Sequence, residues 1–155
     1  VFLAYRSSSW GWGTWKTKWE KVDWAMNDYD DFIVDETRLK KFKRGGEDLL
    51  NYLKMKMNGE IDSWSIVFDY AHFKENGLCL YPVHSKVKNI GFDGTGQHCG
   101  VSEEFDVEIN EGSVELSYNI DINLQVIDEF NRMFRVTKKS IIKILLKKSS
   151  IKDHF

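Results

Sequence analysis

Leu49-Leu50-Asn51-Tyr52-Leu53-Lys54-Met55-Lys56-Met57-Asn58-Gly59-Glu60-Ile61-Asp62-Ser63-Trp64-Ser65-Ile66-Val67-Phe68-Asp69-Tyr70-Ala71-His72-Phe73-Lys74-Glu75-Asn76-Gly77-Leu78-Cys79-Leu80-Tyr81-Pro82 holds two helical periods, each stopped by Asn-Gly, and then an apolar run stopped by proline. Leu49, Leu50, Leu53 and Met57 recur at helical spacing, and Asn58-Gly59 supplies the left-handed stop that helices favour. Asp62 or Ser63 stands where a cap belongs for a second helix running through Ile66, Val67, Tyr70, Ala71 and Phe73 to Asn76-Gly77. Leu78-Cys79-Leu80-Tyr81 then reads as a strand that Pro82 ends. Two helices feeding a strand predict an α+β, helix-rich fold with few strands.

Upstream of this stretch, residues 28–34 and 36–44 read as short helices before Gly45-Gly46 breaks the chain. Earlier still, Trp12, Trp15, Trp19 and Val22 fall at the spacing of one helix face, with Lys16, Lys18, Glu20 and Lys21 opposite. The opening Val1-Phe2-Leu3-Ala4-Tyr5 reads as an apolar strand with few evident partners in the chain. An unpaired strand leaves backbone donors and acceptors unsatisfied. The expectation is therefore that upstream sequence supplies the sheet, and that this edge promotes self-association, as a homodimer, by pairing or swapping.

Downstream, Ser85 to Gly100 carries Gly91, Gly94, Gly96 and Gly100, which suits a loop. Short strands are predicted at 105–109 and 114–118, and helices at 124–134 and 137–148. The chain divides into an expected unit at 1–100 and a C-terminal extension at 101–155. In that extension, residues 130–152 hold eight Lys or Arg and no Asp or Glu. Lys139, Lys143 and Lys147 align beside Ile141, Ile142, Ile144, Leu145 and Leu146. Such a helix either docks its apolar side on the domain or lies on an anionic membrane surface.

Composition bounds the function. The 155 residues are 42% hydrophobic and 30% charged with one Pro, which is ordinary for a single globular domain. A formal charge of -2 gives no field that would favour nucleic acid. Cys79 and Cys99 lack metal-ligand spacing, and a reducing cytoplasm, with peripheral contact at the inner membrane, is the simpler expectation. The longest apolar run falls far short of the roughly 20 residues of a membrane span. No His/Cys/Asp cluster has zinc spacing and no nucleophilic triad is readable, so His72 reads as packing or surface.

Three segments carry candidate chemistry. Five of the six tryptophans lie between positions 10 and 24. Trp15 and Trp19 suit a core-facing stripe, whereas Trp10 and Trp12 flank Gly11 on a turn, where flat apolar faces and indole N–H groups can meet a sugar. Asp62, beside Trp64, is either a plain helix cap or a carboxylate placed to take a proton from an attacking hydroxyl. The run Asn89-Ile90-Gly91-Phe92-Asp93-Gly94-Thr95-Gly96-Gln97-His98-Cys99-Gly100 is either an idle surface loop or a backbone able to fold over an anion, with Lys86, Lys88 and His98 meeting phosphate charge. It is no P-loop, because no Gly-Lys-Ser/Thr follows.

Read in order, Arg6-Ser7-Ser8-Ser9-Trp10-Gly11-Trp12-Gly13-Thr14-Trp15-Lys16, then Ile61-Asp62-Ser63-Trp64, then Tyr81-Pro82-Val83, Ser85-Lys86-Val87 and the glycine-rich run resemble the C-terminal, acceptor-side part of bacterial family-2, GT-A-type glycosyltransferases of the Bacteroides type. More distantly the order resembles the N-acetylglucosaminyltransferases that branch N-glycans. The resemblance covers residues 2–99. It implies a C-terminal fragment of a GT-A fold, an inverting transfer from a nucleotide-sugar donor to a glycan or lipid-linked acceptor, and a role in cell-surface polysaccharide synthesis. It implies Asp62 as the base and, as substrate contacts, Trp10, Gly11, Trp12, Trp64, Lys86, Asn89, Gly91, Asp93, Gly94, Gly96 and His98. The nucleotide-binding sheet and the motif for a divalent metal, Mn or Mg, would lie upstream, so the fragment alone is expected to bind no metal and to be inactive. A carbohydrate-binding module, which would be mostly β, and a membrane-surface module are the competing readings.

Overall fold

A computed structural model describes residues 1–95, 101, 106–116 and 119–135. The order is β1 (Phe2–Ala4), α1 (Lys16–Trp19), α2 (Tyr29–Val34), α3 (Glu36–Phe42), α4 (Leu49–Met57), α5 (Trp64–Lys74), β2 (Cys79–Tyr81) and α6 (Leu124–Arg132). Single 3₁₀ turns stand at Lys43–Gly45 and Gly91–Asp93. The fold is thus small, helix-rich α+β with a two-stranded sheet among the described residues.

Local chemistry sets the helix ends. Asp35 caps α3 by accepting from the N–H groups of Thr37 and Arg38 at 2.9 and 3.0 Å, a bond type worth about 1 kcal/mol. Asn123 does the same for α6 through Gln125 and Val126. After α4, Glu60 N–H donates to Met55 O and Gly59 N–H to Lys56 O, with Gly59 at φ 70°. This is the Schellman closure that Asn58-Gly59 predicts. At the end of α5 the left-handed residue is Asn76, at φ 50°, rather than Gly77. Gly77 is small for another reason, since a Cβ there would meet the His72 ring at 2.7 Å.

The core gathers α2, α3, α4 and α5. Phe32, Phe42, Leu49, Leu53, Val67 and Tyr70 are buried together, with Phe32 against Tyr70 at 4.7 Å and against Phe42 at 5.6 Å between ring centroids. Apolar side chains of this size each contribute about 1.5–3 kcal/mol on burial. The Tyr70 hydroxyl donates to Asp28 Oδ2 at 2.9 Å, and Arg38 and Lys74 also donate to that carboxylate. Burial opposes the charge on Asp28, but the hydrogen bonds from Lys74, Arg38 and Tyr70 outweigh it and hold the carboxyl below its usual range.

The opening strand is not partnerless. β1 pairs antiparallel with β2 in the register Phe2 to Tyr81, Leu3 to Leu80 and Ala4 to Cys79. The expectation of a partnerless edge at residues 1–5 is corrected to that extent. α6 covers this ribbon: Phe130 packs on Phe2 and Tyr81 at 5.8 and 5.1 Å, and Asn131 donates to Arg44 O at 2.7 Å. The described part of 101–155 is therefore packed onto residues 1–100. Residues 106–109 and 114–116 are not strand, and the remainder of those two predicted strands, like the predicted helix at 137–148 and its lysines, lies outside the described residues. No described helix is long and apolar enough to cross a membrane.

Candidate functional site

The turn that carries the tryptophans is anchored from both sides. Arg6 donates to both oxygens of Asp48 at 2.8 and 3.0 Å and lies over the Phe134 ring at 3.8 Å. Its carbonyl accepts from the Tyr81 hydroxyl at 2.9 Å. Ser7 then donates through both N–H and Oγ to Asp69 Oδ1, each at 2.7 Å. Asp69 is the buried charged residue of α5. Burial pushes its carboxyl up to about 6, against the lowering effect of the two Ser7 bonds and of Arg6.

Asp69 escaped the sequence reading, although its signal was present. It is a lone carboxylate inside Ile66-Val67-Phe68-Asp69-Tyr70-Ala71, an apolar run in which an acidic side chain needs a dedicated partner. Its neighbours share the dry environment. Burial, reinforced by the Asp69 charge, raises the Cys79 thiol to about 12, and burial likewise raises the Tyr81 phenol. His72 stacks on Phe68, and its Nε2 stands 3.6 Å from Cys79 Sγ. Burial holds its imidazole below its usual range, in keeping with a packing role.

Beyond Ser7 the chain turns at Gly11, whose φ of 56° and contact with Val87 leave no room for a Cβ. Trp12 follows and does not belong to a helix, because α1 has only four residues. The expected helical stripe is replaced by a cluster. Trp12 stacks on Trp64 at 5.3 Å, touches Trp19 at 5.9 Å and rests on Phe68 at 5.1 Å. Trp19 contacts Trp64 at 5.8 Å and Trp24 at 4.6 Å. All four indoles remain 37–44% exposed, whereas Trp15, expected in the core, is 76% exposed.

The loop after Pro82 folds back onto the same turn. Val87 packs on Gly11, and Phe92, within the 3₁₀ turn Gly91–Asp93, meets Trp10 edge-on at 5.6 Å. Asn89 Oδ1 accepts from Gly91 N–H at 2.9 Å, and Asp93 Oδ1 accepts from Thr95 N–H and Oγ1 at 2.9 and 2.6 Å. Gly94 has φ 96°. Lys86 is engaged by Asn110 O at 2.6 Å, Asn110 Oδ1 at 2.9 Å and Gly112 O, and Lys88 pairs with Asp106 at 2.5 Å. Gly96, His98 and Cys99 lie outside the described residues.

Asp62 stands one residue before the N-cap of α5. The cap position falls to Ser63, whose side chain makes no capping bond. The Asp62 carboxylate is fully exposed, with Lys56 Nζ donating to Oδ1 at 2.7 Å. In sequence it is two residues from Trp64. Among the described residues no three His, Cys, Asp or Glu converge as a metal site.

The geometry joins the turn at Trp10-Gly11-Trp12, the Asp62-Ser63-Trp64 segment and the start of the glycine-rich loop into one surface. Comparison of the chain with protein-family models, with curated proteins and with solved structures returned no match.

Proposed function

We propose that this chain is the acceptor side of an inverting, GT-A-type glycosyltransferase. The observation that supports the reading is the stacking of Trp12 on Trp64 at 5.3 Å, which joins two segments separated by some fifty residues and leaves Asp62 exposed at the border of an aromatic surface. Aromatic faces bordered by polar groups suit the C–H faces and hydroxyls of a sugar. In this reading the acceptor glycan rests on the tryptophans. Asp62 takes the proton of the attacking hydroxyl, and Lys56 holds the carboxylate in place meanwhile. The acceptor oxygen bonds to the anomeric carbon of the donor from the face opposite the nucleoside diphosphate, whose bond to that carbon breaks, and the anomeric centre inverts.

The loop that starts at Val87 is fastened to the turn through Gly11 and Trp10, a position from which its glycines can close over the donor diphosphate. The test is transfer by the full-length gene product from a panel of nucleotide sugars, with manganese or magnesium present and the product anomer assigned by NMR. Inverted product is expected. Retained configuration, or no turnover with any donor, would overturn the reading; saccharide binding without turnover would favour a non-catalytic carbohydrate-binding module.

A further inference from the structure

A core-facing helix stripe does not account for Trp19, and Trp24 lies outside that stripe; both indoles are partly exposed, at 37% and 41%. They extend the Trp12–Trp64 pair, Trp19 touching both of its members and Trp24 lying beyond Trp19. From Trp12 to Trp19 the centroid step is 5.9 Å, and from Trp19 to Trp24 it is 4.6 Å. Steps of this length compare with the span of one pyranose ring. Phe68, buried in α5, forms the floor beneath Trp12 and Trp19, so the row is seated on the core and does not hang from a loose loop.

A second observation decides what the row is suited to hold. Among the described residues, no indole N–H of Trp12, Trp19, Trp24 or Trp64 donates to a protein acceptor. Four N–H donors are thus left unspent on indoles that are 37–44% exposed. A lipid chain or an apolar protein face would cover such donors without satisfying them, at a desolvation cost. A saccharide offers hydroxyl acceptors at its ring edges and C–H groups on its faces, and so meets both. Charged groups border the row: Lys16 pairs with Glu20, Lys21 with Glu75, and Asp23 with the N–H groups of Ala25 and Asn27.

Building on the carbohydrate reading of this surface, we infer that the tryptophan row forms at least two contiguous saccharide subsites, one on the Trp12–Trp64 pair and a second on Trp24 with Trp19, so that the ligand is an oligosaccharide and not a single sugar. The chain direction follows from the layout. The reacting residue sits at the Trp64 end, next to Asp62, and the rest of the glycan runs toward Trp24.

The experiment is ¹⁹F NMR on the full-length protein carrying 5-fluorotryptophan, titrated with mono- to tetrasaccharides of glucose, mannose, galactose and N-acetylglucosamine. A disaccharide or longer ligand is expected to bind about tenfold tighter than its monosaccharide, as one added aromatic contact allows. The resonances of Trp12, Trp19, Trp24 and Trp64 should move while that of Trp15, which joins no ring contact among the described residues, stays fixed. Trp24→Ala should return the longer ligand to the monosaccharide affinity, and Trp24→Phe, a smaller change to the cluster, should keep part of the gain. Equal affinity for one sugar and several, no response of these indoles to any saccharide, or an equal response to octanoate would each overturn the inference. A normal transfer rate in Asp62→Asn alongside length-dependent binding would remove the catalytic reading and leave the subsites standing.

Discussion

Replacing Asp69 with asparagine tests the anchor on which the tryptophan turn depends. Both Ser7 bonds end on Oδ1, at 2.7 Å each, and an asparagine keeps that oxygen while removing the charge. The folded carboxyl titrates near 6, against 3.8 for the free group. Two units correspond to about 3 kcal/mol by proton linkage. The sign follows from the raised value. Between pH 3.8 and about 6 the folded state holds the proton that the unfolded state has lost, so stability falls as pH rises through that window. Below it the two states are equally protonated, and above it the cost is complete. Urea unfolding at pH 4, 5, 6 and 7 should show Asp69→Asn gaining about 2–3 kcal/mol over the native chain between the first and last points. A difference that is flat with pH, or that grows in the native chain's favour, would refute a buried, charge-penalised carboxylate.

Three other perturbations read different parts of the structure. Gly11→Ala drives a Cβ into Val87 Cγ1 at a φ of 56°, and should cost about 2 kcal/mol in thermal or chemical unfolding; an unchanged midpoint would show that the turn and loop are not in contact. Tyr70→Phe removes the 2.9 Å donor to Asp28 and should cost about 1 kcal/mol, whereas a neutral result would mean that Arg38 and Lys74 alone satisfy the carboxylate. The Cys79 thiol, pushed up to about 12 by burial and by Asp69, should resist iodoacetamide at pH 8 until the protein unfolds. Peptide mass mapping that found Cys79 alkylated at the rate of a free thiol would contradict that burial.

The helices were legible where apolar period and stop agreed. Leu49, Leu50 and Leu53 with Asn58-Gly59 mark α4 to its last residue, and Pro82 follows directly on β2. The tryptophan segment misled because Trp12, Trp15, Trp19 and Val22 share a helical period by spacing alone. Gly11 turns the chain at φ 56° and helix begins only at Lys16, so the ring-on-ring contacts with Trp64 and Phe68 replace a helix face. The pairing of β1 with β2 spans nearly the whole described core, and no local signal encodes a contact at that separation. Of the candidate site, neither the meeting of Trp12 with Trp64 nor that of Gly11 with Val87 was legible, because each joins segments more than fifty residues apart and no local pattern encodes such a contact. Lys86 looked like a phosphate contact from its charge. Its three acceptors at Asn110 and Gly112 come from a segment 24 residues away.

The proposal that Asp62 is the base can be tested most directly by single-turnover sugar transfer in the full-length protein, native and Asp62→Asn, with donor affinity measured on the same samples. The expected result is a loss of about 10²–10⁴ in transfer rate with donor affinity unchanged, as removal of a general base gives. Transfer at the native rate by Asp62→Asn would contradict it, leaving Asp62 as a surface carboxylate paired with Lys56.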